Sequence, residues 1–476
     1  MRGAALPVWS VPGAGPRAIS PGRAVDVRCR HGHIEAVDEA GSLRRRRGEE
    51  VLEIPGSVLL PGLHDHHVHL RSLVAWRRSA HVGPDDVSGA GGLARALAAA
   101  PVDRHGWRRA VGYHESVAGA LDRRVLDALA PGGPLRVQHR SGAVWMVNSA
   151  ALAVLGIDAA AERGVERDDS GLPTGRLVRM DGWLARHLPA DDPIAEVGSV
   201  SRELAALGVT GVTDATVGAT AEGAAALTGA VESGALLQRL HVMCPPGVAP
   251  PPHPLVTRGP HKVVLDDDEL PSLDELAGVV EATHGAGSAV AVHCVTAAQV
   301  VLAVAAVGAA AAAPGDRIEH GSVVPAGLIT TLAALGITVV TNPGFVLARG
   351  DRYLAEVDHP DRADLYRAAS LTAAGVAVAA GTDAPFGPSD PWSVIRAAQS
   401  RRTRGGRGLG PDEALPLERS VGLFTGEPAV PGRPRRIAPG EPADLCVLVP
   451  GAWTGPAQAP PVAATVVAGR VVHRAG

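Results

Sequence analysis

The segment Ser57-Val58-Leu59-Leu60-Pro61-Gly62-Leu63-His64-Asp65-His66-His67-Val68-His69 turns abruptly from an apolar run into a cluster of histidines. A short apolar run bounded by turn residues predicts a strand buried on both faces, as in a parallel sheet, and it is placed at Ser57 to Leu63. Residues two apart in an extended chain share a face, so His67 and His69 present two imidazoles in one direction from the strand end. Neutral imidazole is a good ligand for Zn, Fe or Mn, and the pair predicts a divalent metal held there. Asp65 is expected to orient a ligand rather than to bind the metal itself.

Outward from this segment, seven more short β-rich runs are expected as strands: Gly208 to Asp214, Leu237 to Cys244, His261 to Asp266, Ala289 to Cys294, Arg317 to His320, Ile337 to Thr341 and Val376 to Gly381. Between them Leu273 to His284, Thr296 to Ala309, Pro325 to Leu335 and Ala363 to Ala374 have the length and composition of helices, some with Ser or Thr caps. Strands alternating with helices imply a parallel sheet, and eight of them imply an α/β fold closed as a (β/α)8 TIM barrel. The active-site face of such a barrel is the C-terminal end of its strands. Lys262, His293, His320 and Asp383 each fall at or near a different one of those ends. Singly, His293 or His320 would be explained as a hydrogen-bonded core histidine. Their coincidence with His67 and His69 predicts one metal site.

Lys262 carries further weight because it is the lone lysine among 45 basic residues. Arginine stays protonated and cannot carry a carbamate, whereas a buried lysine amine can lose its proton and react. The competing reading is a chance survivor in a surface ion pair.

A chain of 476 residues, 46% hydrophobic and 20% charged, is long and apolar enough for a large core and too apolar for a disordered chain. A formal net charge of −4 offers no basic footprint for nucleic acid, and Arg44-Arg45-Arg46-Arg47 is an isolated run. No run approaches the roughly 18 apolar residues of a membrane span, and no secretory leader is evident. The expectation is a cytoplasmic protein with a small-molecule substrate and no nucleic-acid or membrane partner; a homo-oligomer is left open. Cys29, Cys244, Cys294 and Cys446 show no paired spacing and are expected as core residues, with Cys294 pointing away from His293.

The gap between the first two strands is too long for one helix, so roughly residues 72 to 190 are expected as an insertion on the catalytic face. Within it, His114, Glu115, Trp145 and Asn148 are candidates to face substrate. At the ends, Val25 to Val37, Val51 to Ile54, Ala443 to Val449 and Ala464 to His473 alternate like strands. They predict a small β-sandwich domain built from residues 1–56 and 435–476 around a barrel of residues 57–434.

Several segments resemble the amidohydrolase superfamily: Pro61 to His69, Arg317-Ile318-Glu319-His320, Gly381-Thr382-Asp383-Ala384-Pro385, and Pro439-Gly440-Glu441-Pro442-Ala443-Asp444-Leu445. Val147-Asn148-Ser149-Ala150-Ala151-Leu152, Gly171-Leu172-Pro173-Thr174-Gly175 and Asp390-Pro391-Trp392 are similar to the YtcJ-like branch, which includes N-substituted formamide deformylases. The chain departs from that branch at Ala143, Arg179 and Thr296-Ala297, all outside the metal set. The resemblance implies that His67, His69, His293, His320 and Asp383 bind metal. It also implies that an N-carboxylated Lys262 bridges two divalent ions, zinc first and iron or manganese also compatible, and that Asp383 shuttles the proton. The implied activity is hydrolysis of a non-peptide C–N bond, of amide or formamide type, through a metal-activated hydroxide. The alternatives are a mononuclear deaminase of the same superfamily and a non-catalytic binding protein on a retired barrel.

Overall fold

Gly62 divides the expected first strand between two sheets. In this computed structural model, which describes residues 1–9, 19–157, 163–189, 193–449 and 459–475, Val58–Pro61 joins a sheet built from both chain termini, while Leu63–Val68 opens the barrel. The reason is steric. A Cβ on Gly62 would lie 2.2 Å from Thr210 Cγ2, and the Gly62 N–H donates to Asp444 O at 2.8 Å, so only a bare backbone passes between the sheets.

The barrel strands run parallel: Leu63–Val68, Val209–Asp214, Arg239–Met243, a fourth in two pieces (Val256–Gly259 and His261–Val264), Val290–Cys294, Arg317–His320, Thr338–Thr341 and Val378–Ala380. These are eight among the described residues, and the fold is a (β/α)8 barrel. The fourth strand starts earlier than the expected His261 and is broken at Pro260, which has no N–H for a ladder. Val256–Gly259 therefore pairs back with Arg239–Met243, and His261–Val264 pairs forward with Val290–Cys294. Closure comes where the eighth strand's end meets the first: Asp383 N–H donates to His67 O at 2.8 Å, and His69 N–H to Ala384 O at 3.0 Å.

Helices Leu273–Gly285 and Ala297–Ala309 start with capping boxes, Ser272 with Glu275 and Thr296 with Gln299. Their apolar faces, including Leu276, Val280, Val300 and Val304, share one core with Val290, Val292, Cys294, Ile318 and Val339. Each such side chain is worth about 1.5–3 kcal/mol when fully buried. Because Val292 and Cys294 face the helices, His293 between them faces the barrel interior. The helix expected over Ala363 to Ala374 shrinks to Ala369–Ala373, since Tyr366 takes a left-handed conformation at φ 49°.

The terminal sheet runs, in spatial order, Arg470–Arg474, Val462–Val467, Leu445–Leu448, Val58–Pro61, Ala4–Trp9, Ile19–Arg30 and His33–Glu39. Two of the expected single strands are hairpins. They turn at His31-Gly32 and at Ala468-Gly469, where both φ values are positive in each pair, as a two-residue hairpin turn demands. Val51 to Ile54 contributes only a bridge from Glu53 to Arg2.

The chain divides into two compact units, Met1–Leu70 with Ile194–Gly476, and Arg71–Pro193. The second unit corresponds to the expected insertion at about 72 to 190; its residues 158–162 and 190–192 lie outside the described residues. It has its own mixed sheet, from Ala80–His81 through Arg108–Tyr113, Leu135–His139, Val144–Val147 and Pro173–Val178 to Val165–Arg167, and its own cores around Leu93 and Tyr113 and around Trp107 and Leu152. No helix among the described residues is long and apolar enough to cross a membrane.

Candidate metal centre

Closure of the barrel sets Asp383 against both strand-one histidines. Its Oδ1 lies 3.2 Å from His69 Nε2 and 3.6 Å from His67 Nε2, and these three residues each offer a ligand atom within 4.8 Å of the others. Lys262 Nζ is 3.4 Å from His67 Nε2. The His320 ring centroid is 4.7 Å from that of His67 and 4.5 Å from that of His293. All six residues expected at one site therefore come together, from five strand ends.

Two backbone features allow this convergence. Gly381 has no side chain where a Cβ would stand 2.3 Å from His67 Cβ and 2.6 Å from His67 N, so the eighth strand can press against the first. His320 and Asp383 are left-handed, at φ 67° and 53°. Strand alternation would send Glu319 and His320 to opposite faces; the left-handed turn lets both side chains reach His67.

The hydrogen-bond network fixes which nitrogens carry protons. Glu319 Oε2 makes a very short contact with His67 Nδ1, so Nδ1 is the donor and the Nε2 lone pair faces Asp383 and Lys262. Arg317 Nε in turn pairs with Glu319 Oε1. Asn342 Nδ2 donates to Gly381 O at 2.8 Å, which turns its Oδ1 to accept from His320 Nδ1, also at 2.8 Å. His320 Nε2 is thereby left with its lone pair too. The Nε2 lone pairs of His67 and His320 converge with the carboxylate of Asp383 and the His69 ring, and such a donor set fits a divalent cation.

Glu319, Arg317 and Asn342 were not singled out by sequence. A cue existed for the first two: Arg317 and Glu319 are spaced two apart on one face of the sixth strand. Asp65 meets the backbone around the metal ligands rather than their side chains. Its Oδ1 accepts from Thr382 N at 2.9 Å and His67 N at 3.2 Å, and its Oδ2 from Thr382 Oγ1 at 2.5 Å, bracing the backbone on both sides of the closure.

Burial dominates the proton affinities. It lowers the Lys262 amine to about 8, against the upward pull of Glu319 and Asp383. Burial likewise lowers His293 to about 2 and His320 to about 3, and puts His67 well below its ordinary value, so these rings are neutral at pH 7. At Asp383 burial pushes upward, but the His69 hydrogen bond and the imidazoles of His320, His67 and His69 hold the carboxyl well below the usual range. Burial raises Asp65 to about 6 despite the donors from Thr382 and His67.

The other candidates lie in the second unit. Trp145 is buried and donates from Nε1 to Asp181 Oδ1 at 2.9 Å. Asn148 caps helix Ser149–Leu155 through Oδ1, which accepts from Ala151 N at 2.9 Å and Leu135 N at 3.0 Å. His114 and Glu115 stand beside His139.

A profile of the amidohydrolase family matches residues 50–473. An N-substituted formamide deformylase from Arthrobacter pascens is 27% identical, over 84% of this chain and 84% of its own. Two crystal structures share the fold at 18% identity: an uncharacterized metal-dependent hydrolase from Pyrococcus horikoshii OT3, with a TM-score of 0.73 over 94% of this chain and 96% of its own, and one from Pyrococcus furiosus, with a TM-score of 0.71 over 94% and 98%. The chain belongs to the amidohydrolase family, and it is a metal-dependent hydrolase.

Proposed function

We propose that this centre hydrolyses a non-peptide C–N bond of amide or formamide type, using two divalent ions bridged by an N-carboxylated Lys262. The observation that carries the reading is Lys262 itself, a buried primary amine 3.4 Å from the lone-pair nitrogen of His67. As an ammonium it would repel a cation. Held near 8, part of it is a neutral amine at neutral pH; that nitrogen can attack carbon dioxide and lose a proton, becoming an anion with two oxygens.

His67, His69 and Asp383 would hold one ion, and His293 and His320 the other, with zinc the leading choice and iron or manganese compatible with the donors. When bound, the ions lower the pKa of water and polarise a substrate carbonyl. The chain's own contribution is orientation and proton transfer. Glu319 and Asn342 fix the histidine tautomers, and Asp383, ionised at neutral pH, is placed to take a proton from the attacking water and deliver it to the leaving nitrogen. The deformylase relative supports the formamide side of the substrate class.

The test combines ion counting, intact mass and turnover. Metal lost between wild type and a variant with His67, His69, His293 and His320 all replaced by alanine counts the ions at this centre; two are expected, together with one added carbon dioxide on Lys262 of the wild type under conditions that preserve it. One ion and an unmodified lysine would instead favour the single-metal deaminase. Absence of amine release from a panel of N-substituted formamides and simple amides would overturn the C–N reading.

A further inference from the structure

We propose that His114, Glu115 and His139 form a second binding site, for a divalent transition ion of the Zn2+, Ni2+ or Cu2+ class, within the insertion. Its ligands share no residue with the barrel centre, and the inference does not rest on the proposed hydrolysis. Two parallel strands deliver it. Tyr113, the last residue of Arg108–Tyr113, is the register partner of His139, the last residue of Leu135–His139, so His114 and Glu115 emerge beside His139. His139 Nε2 lies 3.2 Å from Glu115 Oε2, and the two imidazole centroids are 5.8 Å apart. One ligand atom from each of the three residues lies within 4.8 Å of the other two.

Each histidine is also oriented in the same way. His114 Nδ1 meets Ser116 Oγ at 2.8 Å, and His139 Nδ1 meets Ser141 Oγ at 2.7 Å, both serines two residues downstream. Each Nδ1 also accepts from the backbone N–H of the same serine at 3.2 Å, so both rings are held in direction and, without an ion, carry their proton on Nε2. As it stands, His139 Nε2 and Glu115 share a hydrogen bond. On ion binding the imidazole proton moves from Nε2 to Nδ1, where Ser141 Oγ accepts it and the Ser141 N–H contact is given up, and Nε2 and the carboxylate both turn to the cation. Burial keeps the His139 imidazole below its ordinary pKa and hence neutral at pH 7. The Glu115 side chain is 42% exposed, which gives an ion a path in. Two nitrogens and one carboxylate oxygen suit the Zn2+ class better than Ca2+ or Mg2+, which prefer oxygen alone. A simple His139–Glu115 hydrogen bond does not require the second histidine.

The test is Zn2+ uptake by the full-length protein in equilibrium dialysis against buffered micromolar Zn2+, read by elemental analysis. Wild type should hold one more ion per chain than His139→Gln or His114→Gln, and the His67→Ala, His69→Ala double variant should keep that ion. Ser116→Ala and Ser141→Ala should each weaken its binding by about tenfold, at the low end for loss of a ligand-orienting partner. Glu115→Gln, at an exposed position, serves where a histidine variant does not fold. Equal Zn2+ content in wild type and folded variants, or uptake only at millimolar Zn2+, would overturn the site.

Discussion

Both nitrogens of the His67 ring face a buried ionisable group: Glu319 at Nδ1 and Lys262 at Nε2. In the proposed reading Glu319 pairs with Arg317, and a carbamate on Lys262 turns that position from a cation into an anion facing the ions. Lys262→Arg should then abolish turnover although charge is formally conserved, because guanidinium cannot be carboxylated and would stand as a fixed cation against the metals. Lys262→Ala should regain activity with added formate or acetate, small anions able to occupy the vacated bridge. Wild-type-like turnover of Lys262→Arg under saturating metal would exclude the bridge. Asp383→Asn should lose at least ~10²-fold in kcat with less effect on metal content, if the carboxylate moves protons as well as binding; near-normal kcat would place the proton elsewhere. Asp65 permits a pH test on the metal-free protein. Its folded pKa of about 6 lies above its ordinary value, so the folded state binds the extra proton and stability falls as pH rises from about 4 to about 6, by an order of 3 kcal/mol for this group. Chemical denaturation of metal-free Asp65→Asn should show that slope flattened.

At the scale of elements, strand eight is tied to strand one through Gly381, and the contact is too close for any side chain. Gly381→Ala should cost on the order of 1–3 kcal/mol as overpacking and should weaken metal binding through displacement of His67. An unchanged melting temperature with full metal content would show that the strands separate at little cost. The same elements explain what was legible beforehand. Apolar runs alternating with capped helices announce the barrel because burial on both faces leaves no polar alternation to confuse the reading, and the histidines stand at strand ends where spacing alone locates them. The fourth strand was harder: Thr257 and Arg258 interrupt its first half, and Pro260 reads as a stop although the chain merely changes partners there. The hairpins at His31-Gly32 and Ala468-Gly469 were missed because neither is the Asn-Gly or Asp-Gly pair that marks such turns most clearly. Glu319 was hidden for a different reason. Its role depends on the left-handed turn at His320, a conformation that no local pattern of residues announces.

For the molecule as a whole, the metal centre draws its groups from five of the eight strand ends, whereas the packing of helices on strands uses the alternate, outward-facing residues such as Val292, Ile318 and Val339. Fold and site are thus carried by opposite faces of the same strands. Removing metal should therefore loosen the strand ends without melting the helix-packed layer. An ion present at ~100 times its Kd stabilises the native state by about 2.7 kcal/mol, so chelation should lower the melting midpoint by about 3 °C. Hydrogen exchange read by mass spectrometry should show where the loss falls. Amides of residues 65–69, 262–264, 293–294, 319–320 and 382–384 should lose protection, because the imidazoles and carboxylates that face one another there repel or stand unpaired once the cation is gone. Amides deeper in the same strands, at Ile318 and Val339, should keep theirs, since their side chains remain packed in the apolar core. Uniform loss across the barrel would mean that the metal holds the whole fold together, and no change at the strand ends would mean that the site is preorganised by Glu319, Asn342 and Asp65 alone.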